Sequence, residues 1–387
     1  MKPYIPFKLP LDNYFIDTAE LLNPVVNATK QMAVYVEKIK SSKVNPDLLI
    51  NFLSLKEALE SSRIEGTQAT MDDMLESNIN NINMTSDVQE VFNYLEALYT
   101  GEGLLNRRPI SSRFIKELHR CLMSNGVRGS IKAPGEFRTI QNFVGKPGCT
   151  VENASYVPPE PQLLDDYLTN LENYINSDDN LNELIKIAII HAQFETIHPF
   201  LDGNGRIGRI LIPLYLYSKN VLDSPTFFVS GSLERDKFKY YQLLNNIRVT
   251  VDGLNSLKDI SDIDKEEQER QLNIARKNYT EWIKFFLNAC ETECNKSIDK
   301  IRAIDTLYEV TLNTSKELIK NTKVIDIINC IFENPIFTAN TIKSKINIAP
   351  STLNNYLNKL VEANIIFTNT KKRNKAYYFY DLINILR

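Results

Sequence analysis

From Thr18 to Leu59 apolar residues recur at helical spacing: Leu21, Leu22, Val25 and Val26, then Met32, Val34 and Val36, then Leu48, Leu49, Phe52, Leu53, Leu55 and Leu59. This pattern runs straight into Ser61-Ser62-Arg63-Ile64-Glu65-Gly66-Thr67, where Gly66 supplies a stop and Glu65 falls on the final turn. A carboxylate there faces the negative end of the helix dipole, so a solvated glutamate is its plain reading. Further helices are predicted over 88–99 and 111–123, the second started by Ser111 or Ser112 and carrying His119 as a packed core residue. Leu163 to Ile175 is amphipathic. Leu181 to Ile197 is apolar nearly all round, as a central buried helix requires. A polar dozen follows, then a second apolar run from Gly205 to Tyr217. Thr226 to Val229 reads as the start of the next helix. Leu233 to Ile247 and Gln268 to Ile319 continue the helical pattern, the latter enclosing the only tryptophan, Trp282.

Two stretches break this rhythm. Residues 124–162 are punctuated by glycine and proline, and between the breaks Phe137 to Gly145 alternates as a strand that Ala154 to Val157 would pair with. A short hairpin with an open edge is predicted, able to accept an extended peptide as an added strand. Residues 321–387 read as helix (324–332), helix (338–346), an Asn-Ile-Ala-Pro turn, helix (351–362) and two strands (365–368 and 376–380) around a basic tip, the order of a winged helix-turn-helix. The fold class is therefore mainly α with a small β-hairpin. The expected division is an N-terminal helical region (1–100), a central core (101–250), a helical connector (251–320) and the winged unit (321–387).

With 387 residues, 43% hydrophobic and 24% charged, the chain reads as a globular protein of more than one domain. A formal charge of −3 gives no global case for nucleic-acid or membrane binding. The charge is nevertheless unevenly placed: residues 321–387 carry nine Lys/Arg against four Asp/Glu, a net of +5, leaving −8 on the remainder. DNA binding through 321–387 is one expectation, with Ser351, Thr352, Asn354, Asn355, Asn358 and Lys359 on the helix that would read bases; a protein-interaction or dimerisation module is the other. Five scattered cysteines, with Cys290 and Cys294 one helical turn apart and no histidine near, read as free thiols rather than a zinc site. The opening MKPYIPFKLPLDNYF has no signal-peptide core, and no apolar run approaches a membrane span, so a cytoplasmic location is expected.

The chemistry concentrates in the polar dozen, His198-Pro199-Phe200-Leu201-Asp202-Gly203-Asn204-Gly205-Arg206-Ile207-Gly208-Arg209. Asp-Gly and Asn-Gly pairs also make hairpin turns, but here the flanks are helical and a turn needs neither the histidine nor the arginines. Gly203 and Gly205 let backbone N–H groups converge on an anion at the positive end of the following helix. Arg206 and Arg209, three apart, share a helix face where both can clamp phosphate oxygens. Asp202 is a hard oxygen ligand suited to Mg²⁺ bridged by phosphates, and His198 is the candidate general base.

The dozen satisfies H-P-F-x-[DE]-G-N-G-R-x-x-R at every specified position, so the chain resembles Fic-domain adenylyltransferases over most of its length. Gly135-Glu136-Phe137-Arg138 and Tyr156-Val157-Pro158-Pro159 are similar to that family's flap region. Ser61-x-x-x-Glu65-Gly66 resembles its inhibitory motif, [ST]-x-x-x-E-[GN], placed before the core. The resemblance implies a Fic-type helical core that transfers AMP from ATP to a Tyr, Thr or Ser hydroxyl of a target protein and of itself. It implies His198 as base, Asp202 holding Mg²⁺, Asn204 and the loop from Gly203 to Gly208 (Gly205, Arg206 and Ile207 included) binding ATP, and Arg209 at the γ-phosphate. Tyr241 would line the adenine pocket, and the flap Thr139, Ile140, Gln141, Asn142, Phe143 and Val144 would hold the target. Glu65, with Ser61 and Gly66, would inhibit by pairing with Arg209. The two loop glycines keep the adenylylating rather than the phosphorylating pattern. The target stays unnamed; a homodimer would be a natural way to place the Glu65 helix, and no membrane partner is expected. The alternative is a DNA-binding regulator using the core as nucleotide sensor or self-modifying switch.

Overall fold

The apolar pattern of residues 18–59 resolves into two helices in a computed structural model that describes residues 2–11, 15–77, 85–145, 148, 150–249, 265–369 and 375–387. Helix α1 (Thr18–Lys40) stops at Ser41, and α2 (Pro46–Ile64) starts afresh because the Asn45 side chain accepts from Asp47 N while Pro46 takes the first helical position, where no N–H is missed. Then come α3 (Met71–Ser77), α4 (Ser86–Leu105) and α5 (Ser112–Leu122). Ser111 caps α5 by accepting from Phe114 N.

Helix α6 (Leu164–Asn176) leads to α7 (Glu183–Ile197), where every residue from Leu184 to Ile197 is buried. A helix covered on all sides must be the centre of its bundle, and α1 and α6 pack on it together with α8 (Asn204–Ser218). The single helix expected over 233–247 is instead two, α9 (Ser230–Arg235) and α10 (Lys237–Val249), broken at Asp236. Buried Glu57 of α2 accepts from both Ser230 N (3.2 Å) and Ser230 Oγ (2.5 Å), fixing the start of α9 beside α2. Thr226–Val229, expected to open that helix, precedes it as an irregular segment.

The spine is α11 (Lys265–Leu318), which runs past α1, α7, α9 and α10. Trp282 is fully buried in it and donates from Nε1 to Ala188 O of α7 at 2.9 Å. Residues 321–387 form α12 (Val324–Glu333), β1 (Ile336–Thr338), α13 (Ala339–Lys345), α14 (Pro350–Glu362), β2 (Phe367–Thr368), β3 (Ala376–Tyr378) and α15 (Tyr380–Leu386). The three strands make one antiparallel sheet in the order β1-β3-β2, with Tyr377 opposite Phe337 on one side and Thr368 on the other. Strand β1 and helix α15 have no counterpart in the sequence reading, since three and seven residues are too short to show a period. The basic tip Lys371-Lys372-Arg373-Asn374, the Asn-rich 78–83 stretch and Cys149 lie outside the described residues. Cys121, Cys290, Cys294 and Cys330 are free thiols. No described helix is long and apolar enough to cross a membrane.

The expected hairpin is the main correction to the fold. Among the described residues, 137–145 and 154–157 share a single antiparallel bridge, Val144 with Tyr156, rather than a ladder. Strand pairing is replaced by attachment to the neighbouring loop. Arg138 N donates to Pro199 O (2.9 Å), Asn142 Nδ2 to Phe200 O (3.0 Å) and Gln141 Nε2 to Pro158 O (2.9 Å).

Candidate active site

Helices α7 and α8 bracket the loop from His198 to Gly203, and a left-handed residue stands at each end of it. His198 has φ +49° and Gly203 has φ +77°. Glycine adopts this conformation freely; a histidine adopts it only where its surroundings impose it. Those surroundings are specific. The Asn204 amide clamps Phe200, accepting from its N and donating to its O, both at 2.8 Å. Arg138, nearly fully buried, donates from Nε to His198 O (3.0 Å) and from Nη2 to Pro159 O (2.6 Å). From the opposite side His119 stacks on Phe200, rings 3.7 Å apart and 2° from parallel.

The His119 tautomer follows from its partners. Gly135 N donates to Nδ1 (2.8 Å), so Nε2 carries the hydrogen and donates to Asp202 O (3.0 Å). Burial pushes its pKa down to about 4 and keeps it neutral. This is the packed core residue expected, though its task is to hold the loop.

The His198 side chain is about one-fifth exposed. Its Nδ1 lies 3.3 Å from Glu195 O, which assigns the hydrogen to Nδ1 and leaves the Nε2 lone pair free. Burial, then the charges of Arg248 and Arg138, lower its pKa to about 4, so at neutral pH that lone pair is available.

The two arginines are both buried, on separate partners. Arg209 donates from Nε to Ser61 Oγ (2.7 Å) and from Nη2 to Ser61 O (3.0 Å) and Glu65 Oε1 (2.7 Å). Burial alone would disfavour the Arg209 charge, but Glu65 raises its pKa; burial pushes Glu65 up and Arg209 pulls it further down, leaving it below the usual carboxylate value. Glu65 caps α2 and Gly66 follows in the left-handed region at φ +99°, turning the chain away so that the carboxylate enters the site. Gly205 makes the room: a Cβ there would collide with Glu65 Oε1. Arg206 pairs with buried Glu90 of α4, Nη1 to Oε2 at 3.3 Å, rather than facing the open side with Arg209.

Other expected residues divide the same way. The Asp202 carboxylate is partly exposed, bonded to Lys132 Nζ at 2.8 Å, and held ionised by that lysine against the effect of burial. Asn204, expected at a phosphate, spends its amide on Phe200 as described and shapes the loop instead. Ile207 is fully buried, and Gly208 packs on α7, its carbonyl accepting from His191 Nδ1 at 3.1 Å. Tyr241 is 40% exposed beside the Glu65 end of the site, whereas Tyr240 is buried with its hydroxyl on His191 Nε2 at 3.0 Å. In the flap, Thr139, Ile140 and Phe143 are exposed, and Gln141, Asn142 and Val144 are half-buried.

Several members of the site went unread in the sequence. Lys132, Glu90 and Lys237 (which donates to Ile64 O) are ordinary charged residues until tertiary packing selects them. Glu195 could have been noticed, as an acid within the apolar run of α7, three residues before His198.

Asp202 offers one accessible carboxylate, and no group of three or more His, Cys, Asp or Glu gathers to hold a metal among the described residues. A single hard oxygen fits Mg²⁺ whose other ligands are phosphate oxygens and water, not a protein cage.

His198, the start of α8 and the buried Arg209 are thus held around one short loop. Residues 109–216 match the Fic/DOC family, and residues 22–102 match the Fic/DOC family N-terminal region. Over those residues the chain belongs to the Fic/DOC family. It is 33% identical over 78 residues to a probable protein adenylyltransferase of Aquifex aeolicus (strain VF5), and 32% identical over 118 residues to the protein adenylyltransferase Fic of Drosophila grimshawi. These segments cover 20% and 30% of this chain and only 24% and 22% of those proteins. Two crystal structures share the fold. One is a Fic family protein from Desulfovibrio desulfuricans G20 (TM-score 0.55, 17% identity, 98% of each chain covered). The other is a Fic domain containing signaling protein from Bacteroides thetaiotaomicron VPI-5482 (TM-score 0.51, 18% identity, 71% of this chain and 98% of that one).

Proposed function

We propose that this protein is an adenylyltransferase that moves AMP from ATP to a hydroxyl of a protein, and that Glu65 holds it off. The observation that carries the reading is the Arg209 guanidinium, buried in the loop helix and occupied by Ser61 and Glu65 in place of a phosphate. The base is His198: its Nε2 takes the proton of a Tyr, Thr or Ser hydroxyl as that oxygen bonds to the α-phosphorus and the bond to pyrophosphate breaks. Backbone N–H groups in the first turn of α8 hold the phosphates, and Arg209 takes the γ-phosphate once free. Asp202 is the residue that would hold Mg²⁺, which supplies charge neutralisation on the phosphates. Arg206, tied to Glu90, acts on the phosphates through its charge rather than as a clamp. Tyr241 is the face for adenine. The flap, with one bridge to Tyr156 and exposed Thr139, Ile140 and Phe143, receives the target backbone as an added strand.

The chemistry is tested by incubating Glu65→Gly with ATP labelled at the α- or the γ-phosphorus. Label from the α position in protein is expected. Label from the γ position, or none from either, would overturn the reading.

One observation favours a second reading, that residues 321–387 are a winged helix that binds DNA. A groove of about 400 Å³ is lined by Asn340 at the start of α13, Asn354 and Asn358 of α14, and Lys375 and Tyr377 beside the basic tip. Amides suit base edges, and the net +5 suits phosphates. Binding of duplex DNA by the full chain that weakens steeply with salt would support it; none at low salt would dismiss it.

A further inference from the structure

Glu195 lies on α7 one turn before His198, and the adenylylation chemistry above does not use it. Its side chain is 8% exposed. Oε2 stands 4.0 Å from His198 Nδ1, on the side of the ring away from the free Nε2. Oε1 is buried with no hydrogen-bond partner, a costly state for a carboxyl oxygen that calls for an explanation. Packing fixes it there: a Cβ on Gly208 would collide with Oε1, so α8 admits the carboxyl only because that position is glycine. Arg209 from α8, Arg248 from α10 and Glu65 at the end of α2 act electrostatically on it, and it in turn helps to raise the pKa values of Tyr240 and Tyr241 from α10, while Arg138 acts on His198.

We infer that Glu195 is a positioning residue for His198, its carboxylate stabilising the imidazolium that forms when Nε2 takes the hydroxyl proton. The proposal rests on the adenylylation reading. When the hydroxyl oxygen bonds to phosphorus, its proton and a positive charge pass to the imidazole. Arg248 and Arg138 oppose that charge, and Glu65 has left. Glu195 is then the carboxylate beside Nδ1, and the proton departs from Nε2 to water or pyrophosphate as the ring is restored. The same arrangement makes Glu195 a sensor of pH. Burial raises its own pKa to about 7, with Glu65 adding to the rise and the arginines opposing it. The charge that supports His198 is therefore lost as pH falls through about 7.

The test compares Glu65→Gly with the same variant carrying Glu195→Gln or Glu195→Asp, in the full chain. Expected for Gln is a kcat lower by about tenfold or more with the ATP KM unchanged, and loss of an acid limb that lies below pH 7 in this background because Glu65 no longer raises Glu195. Asp, which keeps the charge, restores most of the rate. Equal loss in both variants, or an acid limb that Gln leaves in place, would overturn the inference. A second reading needs no activity: the ring nitrogens of His198, one of only three histidines, show an inflection near pH 7 that Gln removes. An inflection unchanged by Gln counts against the pairing. Absence of all labelling in Glu65→Gly would instead strike the adenylylation reading, leaving the ring titration to decide this one.

Discussion

Arg209 Nη2 stands 2.7 Å from Glu65 Oε1, across 144 positions of sequence. The carboxylate reaches that far because α2 ends at Ile64, Gly66 turns the chain, and Gly205 leaves the space open. Ser61 fixes the same guanidinium through a hydroxyl and a carbonyl, so the arginine is held at three points by one helix end. Ser61→Ala removes one of the three and should raise autolabelling, by less than Glu65→Gly does. A hydrogen bond to a charged group is worth about 1.5–3 kcal/mol. Labelling rates of the two variants side by side check the order.

The same contact sets a pH dependence. Glu65 has its folded-state pKa below the ordinary carboxylate value, Arg209 prevailing over burial. A lowered carboxylate contributes stability above its unfolded pKa and loses it as pH falls through the folded one. The stability difference between wild type and Glu65→Gly should stay level from pH 8 to about 5 and shrink only in stronger acid. Thermal unfolding across that range measures it. Mild acidification is thus not what frees Arg209.

Arg206 and Glu90 form a pair in which both side chains are at most 2% exposed. Truncating one partner leaves the other charged and buried. Glu90→Ala should cost about 3–5 kcal/mol in chemical unfolding. A loss below about 1 kcal/mol would mean Arg206 finds water instead.

His119 holds the loop through two backbone groups and one ring face. His119→Phe keeps the stacking on Phe200 and abandons Gly135 N and Asp202 O. Unfolding should become easier by about 1–3 kcal/mol, and kcat should fall because the Asp202 end of the loop loosens.

The tyrosine pair separates binding from folding. Tyr241→Ala should raise the ATP KM about fivefold or more, since a base stacked on an aromatic ring is worth about 1–3 kcal/mol, with little change in stability. Tyr240→Ala removes a buried ring and the partner of His191 Nε2, and should lower the melting temperature instead.

What was legible in the sequence was whatever is local. The twelve residues from His198 declare themselves by type and spacing, and α7 and α8 by their apolar runs. Glu65 was readable only through a resemblance, because on its own it is a poorly placed glutamate at a helix end. Arg206 was read as a phosphate contact since its chemistry permits it, and Asn204 through the resemblance; Glu90 and Phe200, distant or unremarkable in sequence, claim them. The hairpin alternation was real, but Arg138 and Asn142 bond to the His198 loop, and a pattern of period two does not say which partner the backbone takes.

The central claim is that one carboxylate controls the site. Autolabelling with α-labelled ATP, measured for wild type, Glu65→Gly and Glu65→Gly with His198→Ala, tests it most directly. Strong incorporation in the single variant alone is the predicted result. Equal incorporation in wild type and Glu65→Gly, or incorporation that survives loss of His198, would contradict it.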